Sequence, residues 1–341
     1  MILKKYINRL YLNEYMNKLL KKEELKILSQ LDKNSRMSIK LISKKTKLKK
    51  NKVVEILKNL KKENIVKNYF PMVEFRDLRY FFGLIFIKLK KNINKQGFFT
   101  NLLKSKNNTI IMELDGDYDA FVAISIKGLN KLNYYMKSFN DHFLDYIYHY
   151  DSFIANGFFR FFRGYLLEII ELNKKTEVTG RDKKNYPIDP IDLKIISYLN
   201  RDCRTYSNDK IAKILEMPAI QVKQRIKFLE KVGILQNYTI LLNHKEIGID
   251  RYRILFKTTG FSRDFEKKFI NFCNKHKNII HYLRLFGNYD FLVEVEFFNK
   301  KNKINKIIED LKKILKEKII NFKKLKVIDI YRYKDIVSNP K

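Results

Sequence analysis

Two stretches of the chain combine polar and basic side chains in a way that suits contact with a nucleic acid. The first is the run Lys49–Lys52, and the second carries amides and cations within a few positions of one another: Gln221, Lys223, Gln224, Arg225 and Lys227. Glutamine and arginine can hydrogen-bond base edges, whereas lysine neutralises backbone phosphates. Because an isolated basic run is usually a solvated surface, the role of these residues depends on the element that carries them.

The residue types needed for covalent or metal chemistry do not group together in the sequence. Cys273, His276 and His281 form a short run that superficially resembles a metal site, but no second ligand pair with zinc spacing accompanies it. The two cysteines, Cys203 and Cys273, cannot build a disulfide framework and suit a reducing cytoplasm. We therefore expect no catalytic residue, no metal and no cofactor.

The second basic stretch falls on the last of three predicted helices. Apolar residues over 191–199 line the first helix, Ser207 is a plausible N-cap for the second, and Val222, Ile226 and Leu229 on the third should face the core. Gly233 ends that helix, and alternation over 234–242 predicts a β-wing. This order is typical of a winged helix-turn-helix, whose third helix can lie in a major groove.

The first basic stretch lies on the equivalent helix of an earlier copy. Residues 24–31 match 192–199, the turn 116–119 (GDYD) matches 287–290 (GNYD), and the offset drifts only from 168 to 171 residues. The predicted helices of this copy span 23–31, 39–46 and 50–62, and its wing spans 65–75.

A βαββαβ domain of the ferredoxin-like type follows each wing. In the second copy the predicted elements are a strand at 252–258, a helix at 263–276, strands at 279–286 and 291–297, a helix at 303–317 and a strand at 325–333. In the first copy they are 82–89, 98–104, 109–114, 121–126, 130–142 and 146–154, and the apolar segment 157–172 has no counterpart. One face of each sheet needs cover, which predicts pairing between sheets.

The predicted fold class is therefore α+β, with two tandem units. The expected divisions are a helical extension (1–20), a first winged helix-turn-helix (21–77), a first βαββαβ domain (78–172), a linker (173–186), a second winged helix-turn-helix (187–247) and a second βαββαβ domain (248–338). Lys and Arg number 71 against 37 Asp and Glu, and the net charge of +34 favours a polyanionic partner, although an A+T-rich genome also inflates lysine. No apolar run is both long and uninterrupted, so we expect a cytoplasmic, nucleoid-associated protein without membrane contact.

Together the segments 193–199, 211–218, 222–238 and 287–290 resemble the Lrp/AsnC family of regulators. In that family the helix-turn-helix binds double-stranded DNA, the βαββαβ domain dimerises through its sheet, and loops near the G-x-Y-D turn help to bind an amino acid effector. The resemblance implies that Gln221, Gln224 and Arg225 read DNA. It also implies that both turns border an effector pocket: Gly116, Asp117, Tyr118, Asp119, Gly287, Asn288, Tyr289 and Asp290. The alternative is a purely structural turn, in which Gly supplies a positive φ and Asp caps the turn.

The first copy departs from the family pattern. It has Ile56 where the recognition helix usually has Arg, and Asn64 where a Gly normally precedes the wing. Its DNA contacts would then rest on residues better suited to phosphates than to bases: Lys49, Lys50, Asn51, Lys52 and Lys58. Because family members usually carry one unit per chain, we hypothesise an intramolecular pseudo-dimer, joined by a flexible linker, with homo-oligomerisation as the alternative.

Three functions are compatible with the sequence. The leading one is a sequence-specific DNA-binding transcription regulator, modulated by an amino acid or another small molecule. A second is an enzyme of the same architecture that acts on tetrapyrroles, as in sirohaem decarboxylation, with His149, His244, Arg284 and Arg160 available to bind carboxylates. A third is an architectural protein that binds DNA without sequence preference.

Overall fold

Three short amphipathic helices, a strand and a βαββαβ unit occur twice along the chain. The computed structural model describes residues 20–75, 78, 80–167, 176–179, 188–298, 300 and 302–333. The first copy contains α1 (Lys22–Lys33), α2 (Ile39–Thr46), α3 (Lys50–Lys62), β1 (Val66–Val73), β2 (Tyr80–Leu89), α4 (Lys95–Lys104), β3 (Asn108–Asp115), β4 (Ala120–Lys127), α5 (Leu129–Phe143) and β5 (Ile147–Arg160). After β6 (Thr176–Thr179), the second copy contains α6 (Pro190–Asp202), α7 (Asn208–Ile214), α8 (Ala219–Val232), β7 (Leu235–Leu242), β8 (Ile249–Thr258), α9 (Arg263–Lys275), β9 (Ile279–Phe286), β10 (Phe291–Phe298), α10 (Lys303–Leu315) and β11 (Ile319–Tyr333).

The helical bundles form where the sequence combines apolar periodicity with helix caps. Ser38 and Ser207 cap the second helix of each copy, and each accepts a hydrogen bond from the backbone N–H three residues later. Gly233 ends α8 in the left-handed conformation that its lack of a Cβ permits. The two bundles share one continuous apolar core, in which Leu31 and Leu60 belong to the same cluster as Leu199 and Leu229.

The predicted wings are single strands rather than hairpins, and they pair with each other. β1 and β7 run antiparallel, with Tyr69 opposite Ile240 and Phe70 opposite Thr239. Each strand leads on to the βαββαβ unit of its own copy, so it has no return strand to satisfy its backbone groups, and the equivalent strand of the other copy supplies the partner. The result is a two-stranded ribbon between the helical bundles and the sheets.

The two βαββαβ sheets close into one eight-stranded barrel. The strand order is β2-β4-β3-β11-β8-β10-β9-β5, and β5 also pairs with β2. The long last strand of each copy makes this closure possible, because β5 pairs with β2 and then with β9, while β11 pairs with β8 and then with β3. Apolar residues of both copies fill the interior, and α4 with α5, and α9 with α10, cover the outer faces.

Several predicted boundaries shift because strands continue across the junction between the copies. β11 begins at Ile319 rather than at 325, and β5 extends to Arg160, into the segment that has no counterpart. A 3-10 turn at Gly164–Leu166 then packs Tyr165 into the core of the helical bundles. The predicted flexible linker contains β6, which pairs with β5, so this part is ordered. The remainder of 173–186 and the predicted helical extension, apart from Leu20, lie outside the described residues.

Within the described ranges, no helix combines the length and the apolar composition that a membrane crossing requires.

Candidate nucleic-acid interface and charged interior

The outward side of α3 is exposed and basic. Val53, Ile56 and Leu60 are buried, so the intervening positions point away from the core. All the first-copy residues predicted to contact DNA are exposed on this side: Lys49, Lys50, Asn51, Lys52 and Lys58. One of them has an acidic neighbour, because Lys52 Nζ lies 3.1 Å from Glu55 Oε1. Lys49 and Lys50 form a cationic surface at the start of the helix, and Lys58 lies about two turns further along it.

The equivalent side of α8 carries amides as well as cations. Val222, Ile226, Leu229 and Val232 are buried against the bundle core. Four of the five residues predicted to contact DNA here are exposed: Gln221, Lys223, Gln224 and Lys227. The spacing of the apolar residues along α8 predicts from the sequence alone that these four side chains are exposed.

Arg225, which was predicted to read bases, is ion-paired within its own bundle in this structure. Its guanidinium Nη1 donates to Asp189 Oδ2 at 2.6 Å and to Asp192 Oδ1 at 2.9 Å, and its side chain is 31% exposed. Asp189 is the N-cap of α6 and also accepts a hydrogen bond from the backbone of Asp192. Although partial burial opposes it, these hydrogen bonds lower the pKa of Asp189. Arg225 therefore ties the third helix to the first helix of its bundle.

The first copy does not contain this ion pair, because residues on both of its helices differ from those in the second copy. Ile56 occupies the position that matches Arg225 and is only 5% exposed. At the start of α1 the acidic pair is replaced by Lys21 and Glu24, and Glu24 Oε2 accepts a hydrogen bond from the Lys21 backbone. At this position the two copies therefore differ in packing, with an apolar side chain in the first copy and an ion-paired one in the second.

The two G-x-Y-D turns are built alike and each packs against the other copy. Asp119 Oδ2 accepts from the Leu89 backbone at 2.9 Å, and Asp290 Oδ2 accepts from the Thr258 backbone at 2.6 Å. Gly116 and Gly287 have φ of +134° and +150°. A Cβ on Gly116 would lie 2.8 Å from the carbonyl oxygen of Lys324, and one on Gly287 would lie 2.5 Å from the ring of Phe153. These glycines allow close passage of the last strand of the opposite copy.

Polar residues of both turns meet in one cluster near the junction of the copies. Tyr118 donates its hydroxyl hydrogen to Asp151, and Asn288 Nδ2 donates to Asp151 Oδ1 at 3.1 Å. Lys323 Nζ donates to the Tyr118 hydroxyl at 3.0 Å and lies 5.7 Å from the centre of the Tyr289 ring. Burial and the Asp151 carboxylate raise the pKa of Tyr118. Among the predicted effector residues, Tyr118, Asn288 and Tyr289 are thus brought together, Asp119 and Asp290 stabilise the turns, and Asp117 is exposed.

A buried ionic network lies between the helical bundles and the barrel, and sequence reasoning missed it. Asp32, at the end of α1, accepts hydrogen bonds from Arg160 and Arg163, and Arg163 Nε donates to Glu296 Oε2 at 2.6 Å. Glu296 Oε1 lies 2.7 Å from His244 Nε2 and 3.6 Å from Arg251 Nη1. The network continues through Glu294, which accepts from three side chains: Arg251, Arg253 and His281.

The signal for this network was the alternation of β10, where apolar Val293 and Val295 flank Glu294 and Glu296. Such alternation predicts one solvated face, but Glu294 is 1% exposed and Glu296 is fully buried. Burial opposes ionisation of both carboxyl groups, yet the neighbouring arginines hold the pKa of each well below its usual range. Burial lowers the pKa of His244 and of His281. At neutral pH the carboxylates are therefore charged and these imidazoles are neutral.

A cavity of about 70 Å³ lies beside this network, between the ribbon and the barrel. Four polar residues line it, Arg253, His281, Glu294 and Tyr333, and the remaining lining is apolar. The apolar lining residues come from the ribbon and from both copies of the sheet: Phe70, Met72, Val73, Phe75, Phe82, Leu84, Ile110, Phe121, Phe158 and Leu283.

The Cys273, His276 and His281 run does not converge on a metal position. Cys273 lies in the apolar core beneath α9, His276 lies 3.6 Å from Asp310, and His281 binds Glu294. In the part of the chain that the structure describes, no three His, Cys, Asp or Glu side chains are arranged to hold a metal ion.

Comparison with known proteins identifies the helical bundles. The profile of winged helix-turn-helix DNA-binding domains matches residues 24–67 and again 188–236. An HTH-type transcriptional regulator of Pyrococcus abyssi, itself uncharacterised, is 33% identical over 117 residues, which are 34% of this chain and 76% of that protein. The DNA-binding transcriptional activator DecR of Escherichia coli K12 is 29% identical over 115 residues, which are 33% of this chain and 75% of DecR. The regulator LrpA of P. abyssi is 38% identical over 82 residues, which are 24% of this chain and 55% of LrpA.

This chain belongs to the Lrp/AsnC family. The comparisons therefore confirm both the family and the α+β fold class that were predicted from the sequence. The named relatives are transcription regulators, and they support DNA-binding regulation as the general function. The crystal structure of the siroheme decarboxylase NirDL covers 92% of this chain and 93% of its own, with a TM-score of 0.57 and 13% identity. At that identity the likeness establishes a shared fold over nearly the whole chain.

The residues considered for a tetrapyrrole enzyme are dispersed in this Lrp/AsnC chain. Arg160 is bound to Asp32, His244 to Glu296, and Arg284 to Glu266. His149 is exposed on β5, beside the ring of Tyr118. Arg160 and His244 both belong to the buried ionic network, whereas Arg284 and His149 lie elsewhere, and three of the four are already paired with a carboxylate.

Proposed function

We propose that this chain is a sequence-specific DNA-binding transcription regulator in which two unlike heads contact one duplex, under the control of a small molecule. The observation that carries the proposal is that α3 and α8 expose polar and basic sides on two bundles with one common core. Arg36 Nη2 donates to Asn208 Oδ1 at 2.8 Å, and the matching Arg204 donates to the Ser35 carbonyl at 2.6 Å. These contacts favour a fixed distance between the heads, as binding to two half-sites requires.

The chemistry of the heads supports different contributions to binding. The first head presents lysines at the start of α3, and lysine contacts to phosphates add affinity without sequence information. The second head presents Gln221 and Gln224, whose amides can pair with the major-groove edge of adenine. We therefore assign sequence reading mainly to α8 and general attraction to both heads.

Selection of genomic fragments by the purified full-length chain tests this function directly. A specific regulator should enrich a small set of fragments and hold them about a thousandfold or more tightly than random DNA at physiological salt. An architectural DNA-binding protein would enrich none, and that outcome would reject the proposal. Repeating the selection with a mixture of amino acids, and again with short carboxylic acids, tests the small-molecule part.

A pair of lysine variants separates DNA contact from total charge. Lys52→Ala should weaken binding to all sequences and reduce the slope of log K against log salt by about 1. Lys267→Ala is the matched control, because Lys267 is exposed on α9 in the outer helical layer. Equal losses in the two variants would indicate that the charge acts without a defined contact.

The tetrapyrrole enzyme is the second candidate, and it shares the fold of NirDL. A pocket for such a macrocycle needs several hundred Å³, whereas the cavity between the ribbon and the barrel has about 70 Å³. That volume is too small for the macrocycle, so this cavity does not support the enzyme. Titration of the protein with an iron uroporphyrin should produce no shifted absorbance band, and a saturable band would support the enzyme instead.

The effector role of the two G-x-Y-D turns stays a prediction. Asp119 and Asp290 accept hydrogen bonds from the ends of β2 and β8, and the two tyrosines are buried. These contacts explain the turn residues without a ligand, so the turns contribute nothing to the small-molecule part of the proposal.

A further inference from the structure

The cavity between the ribbon and the barrel has two chemically different walls. They come from matching positions of the two copies, since Leu84 lies opposite Ala123 in the first sheet and Arg253 lies opposite Glu294 in the second. The first copy therefore supplies an apolar wall, with Leu84 and Phe121, and the second supplies an ionic wall, with Arg253 and Glu294. A wall of each kind suits a ligand with an apolar part and a charged part.

Counted over the described residues, the network behind the ionic wall carries one more positive charge than negative charges. It contains three carboxylates, those of Asp32, Glu294 and Glu296, and four guanidinium groups, those of Arg160, Arg163, Arg251 and Arg253. All seven side chains are more than nine-tenths buried. Its two histidines add no charge, because burial lowers the pKa of both. An unbalanced charge at this depth is costly unless an anion accompanies it.

Several arginine N–H groups at or near the ionic wall have no hydrogen-bond acceptor in the described ranges. Within the described part of the chain, the Arg253 guanidinium bonds only through Nε, to Glu294 at 3.2 Å, and its Cζ lies 3.8 Å from the centre of the Phe121 ring. Tyr333 also lines the cavity, and its hydroxyl has no hydrogen-bond partner among the described residues. Nearby, Arg160 Nη1 and Arg251 Nη1 are buried without an acceptor.

We propose that this cavity binds a small monocarboxylate with a short apolar chain, its carboxylate at Arg253 and Tyr333 and its chain against Leu84 and Phe121. The volume admits about five water-sized groups, which limits the ligand to a few carbon atoms. A net charge of −1 balances the network, whereas a zwitterionic amino acid or a neutral amide does not. The assignment of this ligand as the modulator rests on the proposed regulatory function.

The position of the cavity connects such a ligand to the DNA-binding heads. Phe70 and Met72 of the lining belong to β1, the strand that follows α3 directly. On the opposite side of the network, Arg160 and Arg163 hold Asp32 at the end of α1. A ligand that changes the packing of the ribbon on the barrel would therefore move the heads relative to the barrel, and differential affinity for the two arrangements would alter DNA binding.

Calorimetric titration of the full-length chain with propanoate tests the site. The carboxylate should bind saturably, and propanamide, which has the same shape without the charge, should bind at least about tenfold more weakly. Arg253→Met should reduce carboxylate affinity by about tenfold or more. Arg284→Met is the matched control, since it removes an arginine that pairs with Glu266 outside the cavity lining, and it should leave affinity unchanged.

A second variant protects the test against misfolding of the first. Leu84→Phe fills the apolar side without altering a charge, and it should abolish binding in a protein whose circular dichroism spectrum is unchanged. Equal affinity for acid and amide, or unchanged affinity in Leu84→Phe, would overturn the proposal. If no acid binds while genomic selection still enriches specific fragments, this site is wrong and the regulatory function stands.

Discussion

Ser35 Oγ lies 3.2 Å from Cys203 Sγ, although the two residues are 168 positions apart and occupy the same place in the two copies. Their backbones are engaged in matching ways, because Ser35 N donates to the Tyr238 carbonyl and Cys203 N donates to the Tyr69 carbonyl. Equivalent residues can meet only near an axis that relates the copies. The contact therefore marks the pseudo-twofold axis of the helical bundles.

Ser35→Cys should permit a disulfide between the two copies within one chain. Burial raises the pKa of the Cys203 thiol to about 12, so Cys203 should react slowly with iodoacetamide in the folded wild-type protein. With a copper–phenanthroline oxidant, the variant should lose two thiols and remain at monomer mass in non-reducing electrophoresis. Adding Cys203→Ser should abolish the crosslink. A crosslinked species of twice the mass would indicate that the copies pair between chains.

Arg225→Ala should reduce stability without changing sequence preference. The variant loses an ion pair with Asp189 and Asp192 that is partly exposed, so the expected loss in the free energy of unfolding is about 1 kcal/mol. Gln224→Ala should do the reverse, with unchanged stability and a weaker preference for the selected DNA. Thermal unfolding and competitive DNA binding measure the two effects. A relaxed sequence preference in Arg225→Ala would restore the base-reading role predicted from the sequence.

Gly287→Ala should destabilise the protein more than substitution of another glycine that has a positive φ. The added methyl group would meet the Phe153 ring at 2.5 Å, so we expect a loss of about 3 kcal/mol. Gly128 also has a positive φ, of +88°, but a Cβ there has no neighbour within 4 Å. Gly128→Ala should therefore cost only about 1 kcal/mol. Urea unfolding of both variants gives the comparison, and similar losses would mean that backbone strain alone matters.

The free energy of unfolding should fall as the pH drops below about 6.5. His244 and His281 have lowered pKa values in the folded chain, against 6.5 for a free histidine, so the unfolded chain binds protons first. Each histidine can contribute up to about 1.4 kcal/mol per pH unit in this range. Below about pH 4.5 the lowered pKa values of Glu294 and Glu296 add a further loss, because the unfolded chain again takes up protons first.

Urea unfolding between pH 8 and pH 5 measures this dependence. His281→Gln keeps a donor for Glu294 and should flatten the decline between pH 6.5 and pH 5. His142→Gln, which alters an exposed histidine on α5, is the control and should keep the wild-type profile. A profile that is flat in the wild-type protein would contradict the burial of neutral imidazoles.

Local patterns in the sequence were sufficient for the elements and for the exposed surface of the third helices. The helices at 39–46 and 50–62 and the strand at 279–286 have the predicted bounds. Helical spacing of Val222, Ile226 and Leu229 placed Gln221 and Gln224 outside, because the direction of a side chain on a helix follows from its position. The repeat itself predicted that both copies share one fold.

Only the tertiary structure decided which partners these elements have. The spacing of apolar residues along α8 shows that Arg225 lies outside the apolar stripe. It does not reveal that Arg225 pairs with Asp189, which caps another helix. Alternation along β10 marks two faces, yet the ribbon and the helical bundles cover the face with Glu294 and Glu296, and so the charges became a buried network. Periodicity reports the direction of a side chain from its own backbone, whereas its environment depends on segments that are distant in sequence.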